Sequence, residues 1–280
     1  MSNAAINSRQ NLSILLFCAV LSGVGTGVTL IAINWVLLKT YQSSAIIGSL
    51  IAASYVASFL LLPVVSSFLD RFDKPWLMRN VNLFGALMQL TALILISMFP
   101  DTMLIATLIV ITILSVVIRM TDQMTRIALG QSIVGAADYG ALSKKLEVCR
   151  QSITFLSGGI AAYLLVQDNI RWILIIDALT FIIAAALFWQ LGRNIQQQQV
   201  ASDTSNPANA ATQKAPPHGI IGDIKFTLSY IKSDKTFFYL NLLAMFPYAL
   251  VLAQNTLYPA HIEYLLKLDA SYYAMMAVPF

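Results

Sequence analysis

Charge is what this chain has least of. Only 11% of its 280 residues are Asp, Glu, Lys or Arg, roughly half the share found in soluble domains. That shortage argues against a water-soluble globule. Cysteine is nearly missing too: Cys18 lies inside an apolar run and Cys149 near the start of another, so a disulfide framework is not expected. The two histidines, His218 and His261, have no metal-ligand spacing to cysteine or acidic residues, and read as solvated residues of a linker and an outer loop. No Gly-rich phosphate loop with a following Lys and Ser or Thr occurs, which speaks against ATP chemistry within the chain. Neither enzymatic activity nor a cofactor or metal is expected. The balance is basic, with net charge +4 and a pI near 9.0, yet no basic patch interleaved with aromatics points to nucleic acid. What fills the chain instead is apolar sequence, 58% hydrophobic with a mean hydropathy of +0.73. The lipid bilayer is its expected surrounding.

Seven apolar runs read as membrane spans: Leu12–Leu38, Ser44–Leu69, Leu77–Phe99, Met103–Ile118, Ser152–Val166, Trp172–Leu191 and Phe237–Tyr258. They are continuous rather than alternating, which excludes barrel strands and leaves helices. The fold class is therefore an all-α membrane protein. The fourth helix is expected to continue as a polar extension to about Ile133. Residues 1–11 are polar, and the run after them is too long for a signal-peptide core, so it reads as a retained first span.

Basic residues set the orientation. Arg9, Arg71, Lys74, Arg79, Arg126, Lys144, Lys145, Arg193, Lys214, Lys225, Lys232 and Lys235 fall on one side, against Lys39, Arg171 and Lys267 on the other. By the positive-inside rule the first side, with the N-terminus, faces the cytoplasm. Residues 12–191 then form a six-helix bundle. Gly192–Gly219, with its run Gln196–Gln199 and its Ser, Thr, Asn, Ala and Pro, reads as a disordered cytoplasmic linker. In 220–235 the residues Ile220, Ile221, Ile224, Leu228 and Ile231 recur at helical spacing. They describe an amphipathic helix, either on the membrane surface or packed on cytoplasmic loops. Residues 236–280 hold a seventh span and the start of an eighth. The whole reads as a first bundle joined to an unfinished second, expected to insert but not to carry a solute without a second wall.

Polar groups inside apolar helices mark candidate sites. Thr112, Ser115, Arg119, Asp122 and Arg126 are spaced three, four, three and four apart, on one face of the fourth helix. Glu147, Arg150, Gln151 and Thr154 approach on the fifth. Ser22, Thr26 and Thr29 lie on the first and Asn82 and Gln89 on the third. A solute path would be lined by Ser22, Thr26, Thr29, Asn82, Gln89, Thr112, Ser115, Arg119, Arg150 and Thr154. The hydroxyls also suit helix packing, and Arg119, Asp122 and Arg126 also suit an ion-pair network. Asp177, in the sixth span, is either a proton carrier or a group paired with Arg171 or a backbone donor.

The densest charge in the first third is Asp70-Arg71-Phe72-Asp73-Lys74, in a tight turn between two spans. That turn resembles the loop between the second and third helices of major facilitator superfamily transporters. Leu21–Gly27, Ala32–Trp35, Ser44–Gly48, Asp177–Phe181 and Ile220–Tyr230 are similar to the bacterial enterobactin-exporter and macrolide-efflux branch. The resemblance implies a first six-helix bundle plus the start of a second, in a bacterial inner membrane. It implies export of a siderophore or an amphiphilic drug as the small-molecule substrate, with proton coupling. Import of a small polar solute, or a non-transporting fragment, are the alternatives. It also implies a conformational latch, with Asp70 its carboxylate, Arg71 and Lys74 its basic partners, Asp122 the counter-charge to Lys74, and Arg126 beside it. The chain departs from the family pattern at Ser66 and Asp73, where glycines are usual. It also lacks a proline beside Ser157-Gly158-Gly159, and has Thr26 where many relatives carry an acid.

Overall fold

A computed structural model describes residues 3–135, 138–165, 170–203 and 261–267, with scattered single positions between 222 and 250. Among the described residues every regular element is helical. Six long helices follow in order: α1 (Asn3–Tyr41), α2 (Ser44–Arg71), α3 (Lys74–Met98), α4 (Pro100–Ile133), α5 (Tyr139–Leu165) and α6 (Ile170–Asp203). Five of them contain stretches long and apolar enough to cross a bilayer: Ser8–Tyr41, Ala45–Arg71, Lys74–Met98, Leu104–Ile133 and Ile170–Gln197. The chain is membrane-embedded. α5 differs because Lys144, Lys145, Glu147 and Arg150 occupy its first half, and apolar sequence starts only near Ile153.

Helix limits follow local chemistry. α2 stops at Arg71 and α3 starts at Lys74, so the charged turn has only Phe72 and Asp73 between helices, both extended, with Pro75 in the first turn of α3. Phe68, Phe72 and Trp76 stack along this turn at centroid distances of 5.3 and 5.0 Å. Such an aromatic row suits the membrane–water boundary. Lys39 lies 5.8 Å over the Trp35 ring, and Arg193 lies 5.3 Å over that of Trp189, near the ends of α1 and the apolar part of α6. α4 reaches Ile133, as the polar extension required.

α6 departs from expectation. It runs on through Gly192 to Asp203, well into the segment read as a linker. The reason is propensity: glutamine and alanine are good helix formers, and no proline intervenes before Pro207. His261 also departs, since it opens a π-helical turn, His261–Leu266, rather than lying in a loop. The rest of the linker, the surface helix and the seventh and eighth spans lie outside the described residues, apart from single positions.

Close contacts fix helix directions. Along α3 the partners on α6 descend as α3 ascends: Pro75 with Gly192, Gly85 with Phe181, Gln89 with Asp177. Those two helices are antiparallel. α1 and α6 are antiparallel as well, through Gly25 with Thr180 and Thr29 with Asp177. α1 and α5 run parallel, Gly23 against Ile153 and Gly27 against Ser157. The run Gly23-Val24-Gly25-Thr26-Gly27 thus works on two sides. Gly23 and Gly27 admit α5, while Gly25 admits α6, the small-residue packing that lipid-embedded helices require.

The principal pairings are α3 with α6, α1 with α6, α1 with α5, α3 with α4, α2 with α4, and α1 with α4. Exchanging α1 with α4, α2 with α5 and α3 with α6 maps this set onto itself. The bundle is built of two triplets paired in the same way. Large apolar side chains such as Phe59, Leu87, Phe155 and Ile183 stand exposed on its outside, whereas Ser54, Ser58, Thr112 and Gly25 lie within. This is an inside-out arrangement relative to a soluble protein, with lipid as the solvent.

Candidate functional site

The best-defined buried polar centre is Asp177 of α6, which is wholly inaccessible to solvent. Thr29 of α1 donates its hydroxyl to Oδ2 at 2.8 Å, and Gln89 of α3 donates Nε2 to the same oxygen at 2.5 Å. Thr180, one turn on, donates to the main-chain oxygen of Asp177 at 2.8 Å and lies 3.5 Å from Oδ1. Thr26 also lies beside the carboxyl. Thr29 and Gln89 are as completely buried as Asp177 itself. Three helices therefore meet on one carboxyl group through neutral donors. Among the described residues the donors to this carboxyl are side chains of α1, α3 and α6, a set that the sequence alternatives had not included.

This centre forms because Gly25 is there. A Cβ at that position would stand 2.6 Å from Oδ1 of Asp177 and 2.2 Å from Oγ1 of Thr180. No side chain fits. Gly25 and Thr180 are site residues that sequence reasoning missed, and the alternating glycines of α1 are the signal that pointed to them.

The remaining path residues do not converge. Ser22 and Thr112 turn their hydroxyls back on Cys18 and Leu108 of their own helices, as Thr154 does on Arg150. Asn82 likewise donates to the Met78 carbonyl. Arg150 grips Glu147 through two bonds of 2.9 and 2.6 Å, with Gln151 adding a third, all on an exposed face of α5. The Arg150 bond, then that of Gln151, hold the Glu147 carboxyl down at about 2. The candidates expected to line a solute path thus do not meet in one polar centre among the described residues. α5 packs on α1 through glycines and barely meets α4, so its charges look outward. The α4 stripe is also divided. Ser115 and Arg126 are buried, but Arg119 is exposed and reaches the Tyr55 hydroxyl of α2 at a long 3.5 Å.

The latch residues separate as well. Asp122 pairs with Arg126, one turn along α4, rather than with Lys74. The pair is largely sequestered, with the two side chains 8% and 17% exposed, and it lies in electrostatic range of Cys18 of α1 and Cys149 of α5. An in-helix partner at i+4 is reached without moving any backbone, so it wins over a partner on another helix. Asp70 and Arg71 are exposed, and neither they nor Lys74 form an ion pair among the described residues.

Compared with known proteins, the chain matches no family model, and no curated protein and no solved structure aligns with it significantly.

Proposed function

We propose that the chain is the first bundle of a secondary transporter of the major facilitator type, moving a small molecule by alternating access. The observation that carries this reading is the self-mapping helix pairing. Two triplets, each with an odd number of helices, necessarily run in opposite senses through the membrane. Inverted triplets of this kind are the building plan of transporters that rock about a central site. Asp70, Arg71 and Lys74 add to it, because these charges flank a two-residue turn, form no ion pair among the described residues and are placed to meet a partner outside the bundle. The substrate class is a siderophore or an amphiphilic drug, the direction is export, and the location is a bacterial inner membrane with the N-terminus cytoplasmic.

Efflux by the whole gene product in an exporter-deficient strain tests this, with siderophores and macrolides as probes. Saturable efflux above the vector control is the expected result, and efflux equal to the control rejects it. Asp70→Asn is expected to cut the rate about tenfold at unchanged membrane level, since a latch biases the two access states by about 1–3 kcal/mol. Unchanged turnover would reduce the turn to a topology signal.

Orientation has its own test. With Cys18 and Cys149 replaced by alanine, an impermeant thiol reagent added to intact cells should label Gln42→Cys and spare Asp73→Cys. Both positions are exposed at opposite helix ends. The reverse pattern would invert the topology.

A further inference from the structure

We infer that the Asp177 cluster is a binding site for one small monovalent cation, a proton or a sodium ion, set inside the bundle between α1, α3 and α6. The inference deepens the transport reading by placing the coupling ion, and it rests on that reading only for its physiological role.

The bonding pattern is one positive charge short. Thr29 and Gln89 both give their hydrogens to Oδ2. Oδ1 is met by the Thr180 hydroxyl at a long 3.5 Å, shared with a main-chain oxygen, and Thr26 also bonds the carboxyl. Gln89 Oε1 is fully buried and has no hydrogen-bond partner among the described residues, although its amide nitrogen is already on the carboxylate. One acceptor, Gln89 Oε1, thus lies without a donor in a dry cluster whose carboxylate meets only neutral donors. Buried acceptors are costly to leave empty, and an intramembrane carboxylate without a counter-charge costs more still.

Among the described residues no charged side chain bonds the carboxyl. α1 presents Gly25, Thr26 and Thr29, α3 presents Gln89, and α6 presents Thr180. One added proton neutralises Asp177 and gives the cluster its missing hydrogen. A sodium ion does the same electrostatically, with Asp177, Gln89 Oε1 and the threonine hydroxyls offering oxygen ligands. No bond within the chain breaks in either case.

The location gives the charge a mechanical consequence. Asp177 belongs to the second triplet, while Thr29 and Gln89 belong to the first, so the cluster ties the two triplets together. Its donors strengthen on an anionic carboxylate and relax on a neutral one. Protonating the site therefore loosens the tie of α6 to α1 and α3, whereas sodium, which leaves the carboxylate anionic, would hold it.

Infrared spectroscopy of the purified chain in lipid reads this without any transport assay, so its failure and a failure of the transport reading are distinguishable. Titrated from alkaline to acid pH in sodium-free buffer, the wild type is expected to gain one protonated-carboxyl band that Asp177→Asn lacks and Asp122→Asn retains. Thr29→Val, which removes a donor to the charged form without changing shape, should raise the midpoint by about one pH unit. If sodium occupies the site, added NaCl moves the wild-type midpoint to lower pH and leaves Asp177→Asn unaffected. A midpoint indifferent to NaCl assigns the site to the proton. The inference is overturned if Asp177→Asn titrates like the wild type, or if the Asp177 band is constant across the whole range with and without sodium.

Discussion

Gly25→Ala is expected to destabilise the chain by about 2–3 kcal/mol, the cost of forcing a methyl group into a filled site. The added carbon would meet Thr180 and Asp177 well inside contact distance, and neither side chain is a flexible tip that can swing away. α6 must either shift off α1 or give up the Thr29 bond. Thermal unfolding in detergent, followed by circular dichroism, measures the loss. Gly159→Ala is the internal control. That glycine is exposed on α5 with nothing near its missing Cβ, so alanine should leave stability unchanged or raise it slightly through better helix propensity. Equal behaviour of the two variants would mean that α1 and α6 do not approach at Gly25.

A loss of similar size is expected from Arg126→Leu, at about 3 kcal/mol. Removing one member of a sequestered ion pair strands the other charge, and breaking such pairs costs about 3–5 kcal/mol. The lower end applies because Asp122 keeps 17% exposure. Removing both charges is a different matter. Arg126→Leu with Asp122→Leu should return to within about 1 kcal/mol of the wild type, since an apolar pair carries no desolvation penalty. The same double-mutant cycle separates the present pairing from one with Lys74. If Lys74→Met costs as much as Arg126→Leu, Asp122 reaches across to the α2–α3 turn after all.

Glu147 and Arg150 offer the contrast. Their bonds are short, yet both groups lie in water, where Coulomb attraction is screened and side-chain ordering offsets the gain. The carboxyl has a depressed pKa, so whatever stability it contributes is complete above its ordinary titration range and fades as pH falls towards 2. Bond length alone therefore does not rank these two ion pairs. Burial does.

Much of the bundle was legible in the sequence. Apolar runs of bilayer length force helices, because hydrocarbon offers backbone groups no other partner, and the expected limits of α2, α3 and α4 lie within a few residues of the observed ones. The charged turn at Asp70–Lys74 and the polar extension of α4 were visible for the same local reason. The end of α6 was not, since a polar composition rich in glutamine is equally compatible with a solvated helix and with a disordered linker.

Which polar residues meet was beyond the sequence. Periodicity placed Thr112, Ser115, Arg119, Asp122 and Arg126 on one stripe, but a stripe has no address until a neighbour covers it. Packing then buried Arg126, exposed Arg119 and turned the charges of α5 outward. Asp177, Thr29 and Gln89 stood in the sequence as three separate polar positions on three helices. Their union depends on Gly25 letting α6 settle against α1 and on Gly85 admitting Phe181 between α3 and α6. Hydropathy is a property of each segment, and so the sequence by itself determined what crosses the membrane. Close approach is a property of pairs of helices, so only the tertiary structure decided where the buried carboxyl finds its partners.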